Sequence, residues 1–194
     1  MNKRAIFIHG WEGYPEEGWR PWLKKELEKR GFEVINPAMP DTIKPLEDKW
    51  VSHLAKIIGV PGRQTYLVGH SLGGITILRY LEALKEAQKI GGAILVASFG
   101  GDLEYEGYKG ELKSFFQTSV NWEKVKKHCS KFVAIHSTDD PWVSSKNLKL
   151  FEEKLGAKTI MMDKMKHFSG DDGIAKLPIV LKELLEISDA NQPL

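Results

Sequence analysis

The chain has 194 residues, 42% hydrophobic and 28% charged, with a net charge of +2. This ordinary globular mixture argues against disorder and membrane spans, and the near-neutral balance gives no reason to expect nucleic acid or an anionic surface as partner. A single cysteine, Cys129, rules out an intrachain disulfide and fits a reducing compartment.

The first apolar run, Ala5–Ile8, is shorter than the about 7–15 residues of a secretory signal and reads as the first strand of a cytoplasmic protein. A helix is expected over Trp22–Arg30, with Pro21 near its start, Gly31 after its end, and Leu23 and Leu27 on one face. Phe32–Ile35 is the second strand. Pro45 then opens a helix over Leu46–Ile58, whose stripe is Leu46, Trp50, Leu54 and Ile57/Ile58 and whose stop is Gly59. The third strand, Thr65–Val68, leads through a glycine-flanked turn into a proline-free helix over Leu72–Ala87. Gly92–Val96 follows as a strand, and then an irregular segment, Phe99–Val120, whose glycine-rich part from Asp102 to Gly110 reads as a surface loop. Strand Phe132–His136, helix Lys146–Leu155 with Ser144 or Ser145 as cap, strand Lys158–Met162 and helix Pro178–Ile187 complete the chain before a frayed tail, 189–194. Near-continuous hydrophobicity in the strands and strict β/α alternation predict one three-layer α/β domain over residues 1–188, with strands buried on both faces.

The turn after the third strand reads Gly69-His70-Ser71-Leu72-Gly73, a complete G-x-S-x-G with a strand before it and a helix after it. That context defines the nucleophile elbow, where a serine sits in a strained turn and a Cβ on either flanking position would clash. Serine needs a base within hydrogen-bond reach to act as a nucleophile at neutral pH. Of the six histidines, His167 alone lies beyond the candidate acids that follow the fifth strand, in the order Ser, Asp, His that this fold uses. Asp139 and Asp140 both follow that strand. Asp140 begins Asp-Pro-Trp-Val, similar to the D-x-x-V turn that carries the acid, whereas Asp139 suits a turn-capping role; Asp140 is favoured. The oxyanion hole is assigned to the backbone N–H of Leu72 and of Trp11, which follows the small Gly10 after the first strand.

Other chemistries lack their motifs: there is no P-loop, G-x-G-x-x-G, C-x-x-C or H-E-x-x-H. Asp171-Asp172 reads as a helix-start acidic pair rather than a metal site, and Cys129 as an inert thiol tucked at a strand start. Neither a metal nor a cofactor is expected. Phe115, Phe116, Trp142 and Phe168, with Trp11, flank the catalytic loops and are expected to line an apolar cleft beside Ser71, the alternative being that they seal loops onto the core.

Over nearly its full length the chain resembles the retinoblastoma-binding protein 9/YdeN-like serine hydrolases of the α/β-hydrolase superfamily. The resemblance runs through Trp22-Leu23-Lys24-Lys25-Glu26-Leu27-Glu28, Met39-Pro40-Asp41, Gly69-His70-Ser71, Trp122-Glu123-Lys124-Val125-Lys126, Ser137-Thr138-Asp139-Asp140-Pro141 and His167-Phe168. It implies a compact hydrolase without a large lid domain, a six-stranded parallel sheet in the order 2-1-3-4-5-6 with helices on both faces, and the triad Ser71, Asp140, His167. The first loop, His9-Gly10-Trp11-Glu12-Gly13, is nearer the bacterial branch than the animal one. The L-x-C-x-E segment that binds retinoblastoma protein is absent, so no such partner is carried over. The expected function is hydrolysis of a small carboxylic ester through an acyl-enzyme, with a small-molecule acyl substrate, no nucleic acid and no membrane. The alternatives are an amidase, peptidase or thioesterase with the same triad, or a binding module that keeps the fold without catalysis.

Overall fold

Residues 3–101, 103 and 110–189 are described by a computed structural model. The apolar runs form strands β1 (Arg4–Ile8), β2 (Glu33–Ile35), β3 (Thr65–His70), β4 (Gly92–Val96), β5 (Phe132–Ser137) and β6 (Lys158–Met162). All pair in parallel, in the expected order β2-β1-β3-β4-β5-β6. The inner strands β3, β4 and β5 are buried at every position, which is why their sequences lack alternation, whereas edge strand β6 stays partly exposed.

Among the described residues six α-helices cover the sheet: α1 (Arg20–Glu28), α2 (Glu47–Ile58), α3 (Leu72–Ala83), α4 (Trp122–His128), α5 (Lys146–Leu155) and α6 (Pro178–Asp189). Alternate strand residues point to opposite faces and feed two cores. Phe7, Val68 and Val96 pack with Leu23 and Leu27 of α1 and Val180 and Leu184 of α6. Ile6, Leu67 and Leu95 pack with Trp50 of α2, Leu78 of α3, Val125 of α4 and Phe151 of α5. Among the described residues no helix is long and apolar enough to cross a membrane.

Some elements depart from expectation. The α3 helix ends at Ala83 rather than 87, because Leu84 turns extended (ψ 149°) and Lys85 and Gln88 close a separate turn. The α4 helix is unforeseen; Asn121 caps it by accepting from the Lys124 N–H at 3.1 Å. In the irregular segment a short 3-10 turn, Lys113–Phe116, is tied to α3 by the Arg79 guanidinium, which donates to the carbonyls of Phe115 (3.0 Å) and Thr118. Asp102 and residues 104–109 of the expected surface loop lie outside the described residues, as do residues 190–194 of the expected tail, while Asp189 still belongs to α6.

Candidate active site

Strand β3 ends at His70 and helix α3 begins at Leu72, which leaves Ser71 alone between them with φ 53° and ψ −118°. For a residue bearing a Cβ such a conformation costs of order 1–3 kcal/mol and persists only where neighbours over-determine it. Here the Ser71 N–H donates to Val96 O (2.9 Å), and its carbonyl accepts from the Gly74 N–H (2.9 Å) and the Ser98 hydroxyl (3.0 Å). The two motif glycines serve close approach. A Cβ on Gly73 would stand 2.1 Å from the Ile8 carbonyl oxygen, and one on Gly69 2.6 Å from the Gly74 nitrogen.

The loop after β5 carries Asp140, whose side chain is 1% exposed. Its Oδ1 accepts from the N–H groups of Trp142 (2.9 Å) and Val143 (3.0 Å), so the turn that follows locks the carboxylate. His167, from the loop after β6, donates its Nδ1–H to this carboxylate at 2.9–3.0 Å. The adjacent Asp139 faces elsewhere: it accepts from the Ser137 hydroxyl (2.7 Å) and the Lys166 N–H (2.8 Å). The Ser137 hydroxyl and then the Lys166 amide hold the Asp139 carboxyl below its usual range. One carboxylate therefore meets the imidazole, and its neighbour shapes the loop that presents it.

Asp172 is a further organiser of that loop, and its place differs from the helix start expected of it. Its Oδ2 accepts from the N–H groups of His167 (3.1 Å) and Ser169 (3.0 Å) and from the Ser169 hydroxyl (2.7 Å), while its own N–H donates back to that hydroxyl (3.1 Å). The Ser169-x-x-Asp172 spacing is the sequence signal that could have shown this reciprocal turn. Lys164, Lys166 and Phe168 all have positive φ, at 53°, 46° and 58°, so His167 sits between two left-handed residues.

After β1, the Gly10 carbonyl accepts from His9 Nδ1–H (2.9 Å) and from the Gly13 N–H (3.2 Å). Because the peptide is planar and trans, the Trp11 N–H points the opposite way. A Cβ on Gly10 would come within 3.2 Å of Ser71 Cβ, so this loop lies directly against the serine. The Leu72 N–H opens α3 and has no carbonyl four residues back inside that helix.

Ser71 and His167 open on one cleft of about 560 Å³, together with Gly10, Trp11 and Trp142. Phe115, Phe116 and Phe168, expected on its walls, are not there. Phe115 is fully buried edge-on to Trp50, Phe116 stacks on Phe99 (5.6 Å, 18°), and Phe168 is fully buried in the α1/α6 core. Phe115 and Phe168 seal their loops onto the core, where full burial removes more apolar area from water than a cleft wall would, and half-buried Phe116 backs Phe99. Phe99, Leu112 and Val143 line the cleft instead. Phe99 comes three residues after β4, a position at the carboxyl edge of the sheet that the sequence does expose to inspection.

The remaining histidines are all committed to backbone carbonyls. His9 donates to Gly10, His53 to Ala38, His70 to His167, His128 to Gln88 and His136 to Ser98. Burial depresses His9, drives His70 well below the usual histidine range, and pushes His136 down to about 4. Cys129 is buried, its thiol pushed up to about 12 by desolvation, and is thereby inert as a nucleophile at neutral pH.

A parallel sheet in this order, with a strained serine at the turn after its third strand, is the α/β-hydrolase fold. The chain belongs to the serine hydrolase family, whose model matches residues 5–186. It is 33% identical over 180 residues to the putative hydrolase YdeN of Bacillus subtilis strain 168, covering 93% of each chain. It is 30% identical over 185 residues to the serine hydrolase RBBP9 of Rattus norvegicus, covering 94% of this chain and 95% of that one. The crystal structure of the ydeN gene product from B. subtilis superposes with a TM-score of 0.90 at 32% identity, over 96% of this chain and 99% of that one. Est1E from Butyrivibrio proteoclasticus shares the fold, with a TM-score of 0.74 at 16% identity over 97% and 88% of the two chains.

Proposed function

We propose that the protein hydrolyses small carboxylic esters through an acyl-enzyme, with Ser71 as nucleophile, His167 as general base and then acid, and Asp140 as the carboxylate that orients the imidazole. One observation carries this reading. A serine strained on the elbow and an imidazole whose Nδ1–H is held by a buried carboxylate share one cleft. With Nδ1 protonated, Nε2 is left to take the Ser71 proton as Oγ attacks the acyl carbon. The same proton then goes to the leaving alkoxide, and water repeats the sequence to release the acid. The N–H groups of Leu72 and Trp11 stabilise the oxyanion, and Trp11 and Trp142 flank the acyl group. Only protons and an acyl group are exchanged, so the reading calls for no metal or cofactor. The cleft of about 560 Å³ falls in the ordinary range of small-molecule sites and so accommodates a small ester.

The test is labelling by a fluorophosphonate probe, which needs an activated serine. Wild type should label and Ser71→Ala should not; labelling that persists in Ser71→Ala overturns the assignment. A panel of short esters, aminoacyl amides and acyl thioesters then reads the leaving group. Clear preference for either of the latter two replaces the ester assignment while keeping the triad.

A further inference from the structure

His70 lies within the elbow and borders the Ser71 cleft, while its ring stands edge-on to Trp19 in the α1/α6 layer (centroids 6.2 Å apart). Its Nε2–H donates to the carbonyl of His167 at 2.7 Å, across 97 positions of sequence. The indole N–H of Trp19 donates to the next carbonyl, that of Phe168, at 3.0 Å. Two rigid ring donors, one ending β3 and one preceding α1, thus hold consecutive carbonyls of the loop that presents the imidazole.

That loop needs outside support. Lys166 and Phe168 on either side of His167 are left-handed at 46° and 58°, a conformation that L side chains adopt only when tertiary contacts hold it. The Asp172 carboxylate anchors the His167 N–H (3.1 Å), Asp140 anchors its ring, and His70 anchors its carbonyl. The His70 and His167 ring centroids are 5.0 Å apart. His70 Nδ1 is buried without a hydrogen-bond partner among the described residues. An unpartnered buried nitrogen is unfavourable, so an apolar ring would suit packing better. What the histidine contributes in return is the bond to the His167 carbonyl. His70 also precedes Ser71 by one residue, so the segment that sets the nucleophile directly sets the base.

We propose that His70 is a positioning residue for proton transfer: by holding the His167 carbonyl it fixes the reach of the His167 imidazole toward Ser71. The proposal rests on the Ser71–His167 reading given above. Misplacing a catalytic group by about 1 Å costs about 10²-fold in rate, which sets the scale of the effect.

The experiment measures, on the full chain, the inactivation rate by a fluorophosphonate and kcat/KM for p-nitrophenyl acetate, with thermal melting alongside. H70N keeps a polar amide too short to reach the carbonyl, H70Q extends an amide N–H to the place of Nε2, and H70F fills the ring space without a donor. H70N and H70F should lose about 10²-fold in both rates, and H70Q should recover at least about tenfold of that loss. In an H167A background, H70N should change the residual rate by less than about twofold, because the two residues act through one group. Equal rates for H70N and H70Q, a wild-type rate for H70N, or an undiminished H70N effect in H167A would each overturn the proposal and leave only a packing role. If H70F does not fold, the Asn/Gln pair decides the same point. Labelling of Ser71→Ala removes the underlying reading and this proposal with it. An unlabelled Ser71→Ala beside a wild-type rate for H70N removes this proposal alone.

Discussion

Replacing Asp140 by asparagine should abolish turnover while leaving the fold intact. Oδ1 of Asp140 accepts the Trp142 and Val143 N–H groups and stands 3.0 Å from His167 Nδ1, whereas Oδ2 meets the His167 ring alone, at 2.9 Å. An asparagine keeps its oxygen on the two amides, since the reverse orientation would set N–H against N–H. Its NH₂ then takes the Oδ2 place, 2.9 Å from His167 Nδ1, where an Nδ1–H would meet an N–H; with the oxygen already engaged by two amides, the ring favours the tautomer with the proton on Nε2. That tautomer cannot accept the Ser71 proton. Loss of the correct tautomer costs about 10⁴ in kcat, or about 5.4 kcal/mol at 1.36 kcal/mol per decade. Asp139→Asn is the control: its partners are the Ser137 hydroxyl and the Lys166 N–H, both able to bond an amide oxygen, so turnover should stay within about threefold of wild type. Steady-state ester hydrolysis, with circular dichroism to confirm folding, reads both variants. An Asp140→Asn enzyme within tenfold of wild type, or an Asp139→Asn enzyme that is the weaker of the two, would refute the division of labour between these carboxylates.

His136 is fully buried, and its folded value of about 4 lies below the ordinary 6.5, so the unfolded chain binds the additional proton between those limits. Its effect on stability is nil above about pH 6.5 and grows unfavourable as pH falls toward 4, reaching about 2 kcal/mol at pH 5. Denaturant unfolding of wild type and H136F at pH 7 and pH 5 should show their difference shifting by that amount in favour of the variant; parallel pH dependence would exclude it. Trp142→Ala should lower kcat/KM for the preferred acyl group by about 1 kcal/mol, the lower end of the range for a lost apolar contact, because the indole is 47% exposed. An unchanged kcat/KM across acyl lengths would remove the indole from the site. Gly73→Ala puts a Cβ 2.1 Å from a backbone oxygen of β1 and should destabilise by about 3 kcal/mol or more, seen as a lowered melting temperature. A melting temperature equal to wild type would mean that β1 and α3 are not pressed together as described.

The residues that announce themselves in sequence are those whose role is local. Ser71 is legible because its strained turn demands glycines at 69 and 73, and Asp140 because its carboxylate closes its own turn through Trp142 and Val143. The strands are legible because burial on both faces leaves continuous apolar runs. The α4 helix escapes because its seven residues include three lysines and only Val125 and His128 are buried, with Trp122 partly so. A cap at Asn121 with Trp122, Val125 and Cys129 spaced along one side was the available signal. Phe115, Phe116 and Phe168 flank the right loops, but which way a loop side chain turns is decided by distant packing. The bond from His70 to a carbonyl 97 residues away is equally invisible, since nothing near either residue encodes it.

The alternating left-handed residues at Lys164, Lys166 and Phe168 have a consequence for how this chain can change. None of the three is a glycine, so each carries a conformational penalty that a glycine would relieve, on the scale of about 1 kcal/mol apiece. Selection for heat resistance alone would therefore drift toward glycine at these places. A glycine there would relax into other shapes as readily as the present one, and the loop would lose the bias that keeps the imidazole in place. Thermal tolerance and turnover are thus set against each other in five residues, and a lineage pressed toward the first will lose some of the second.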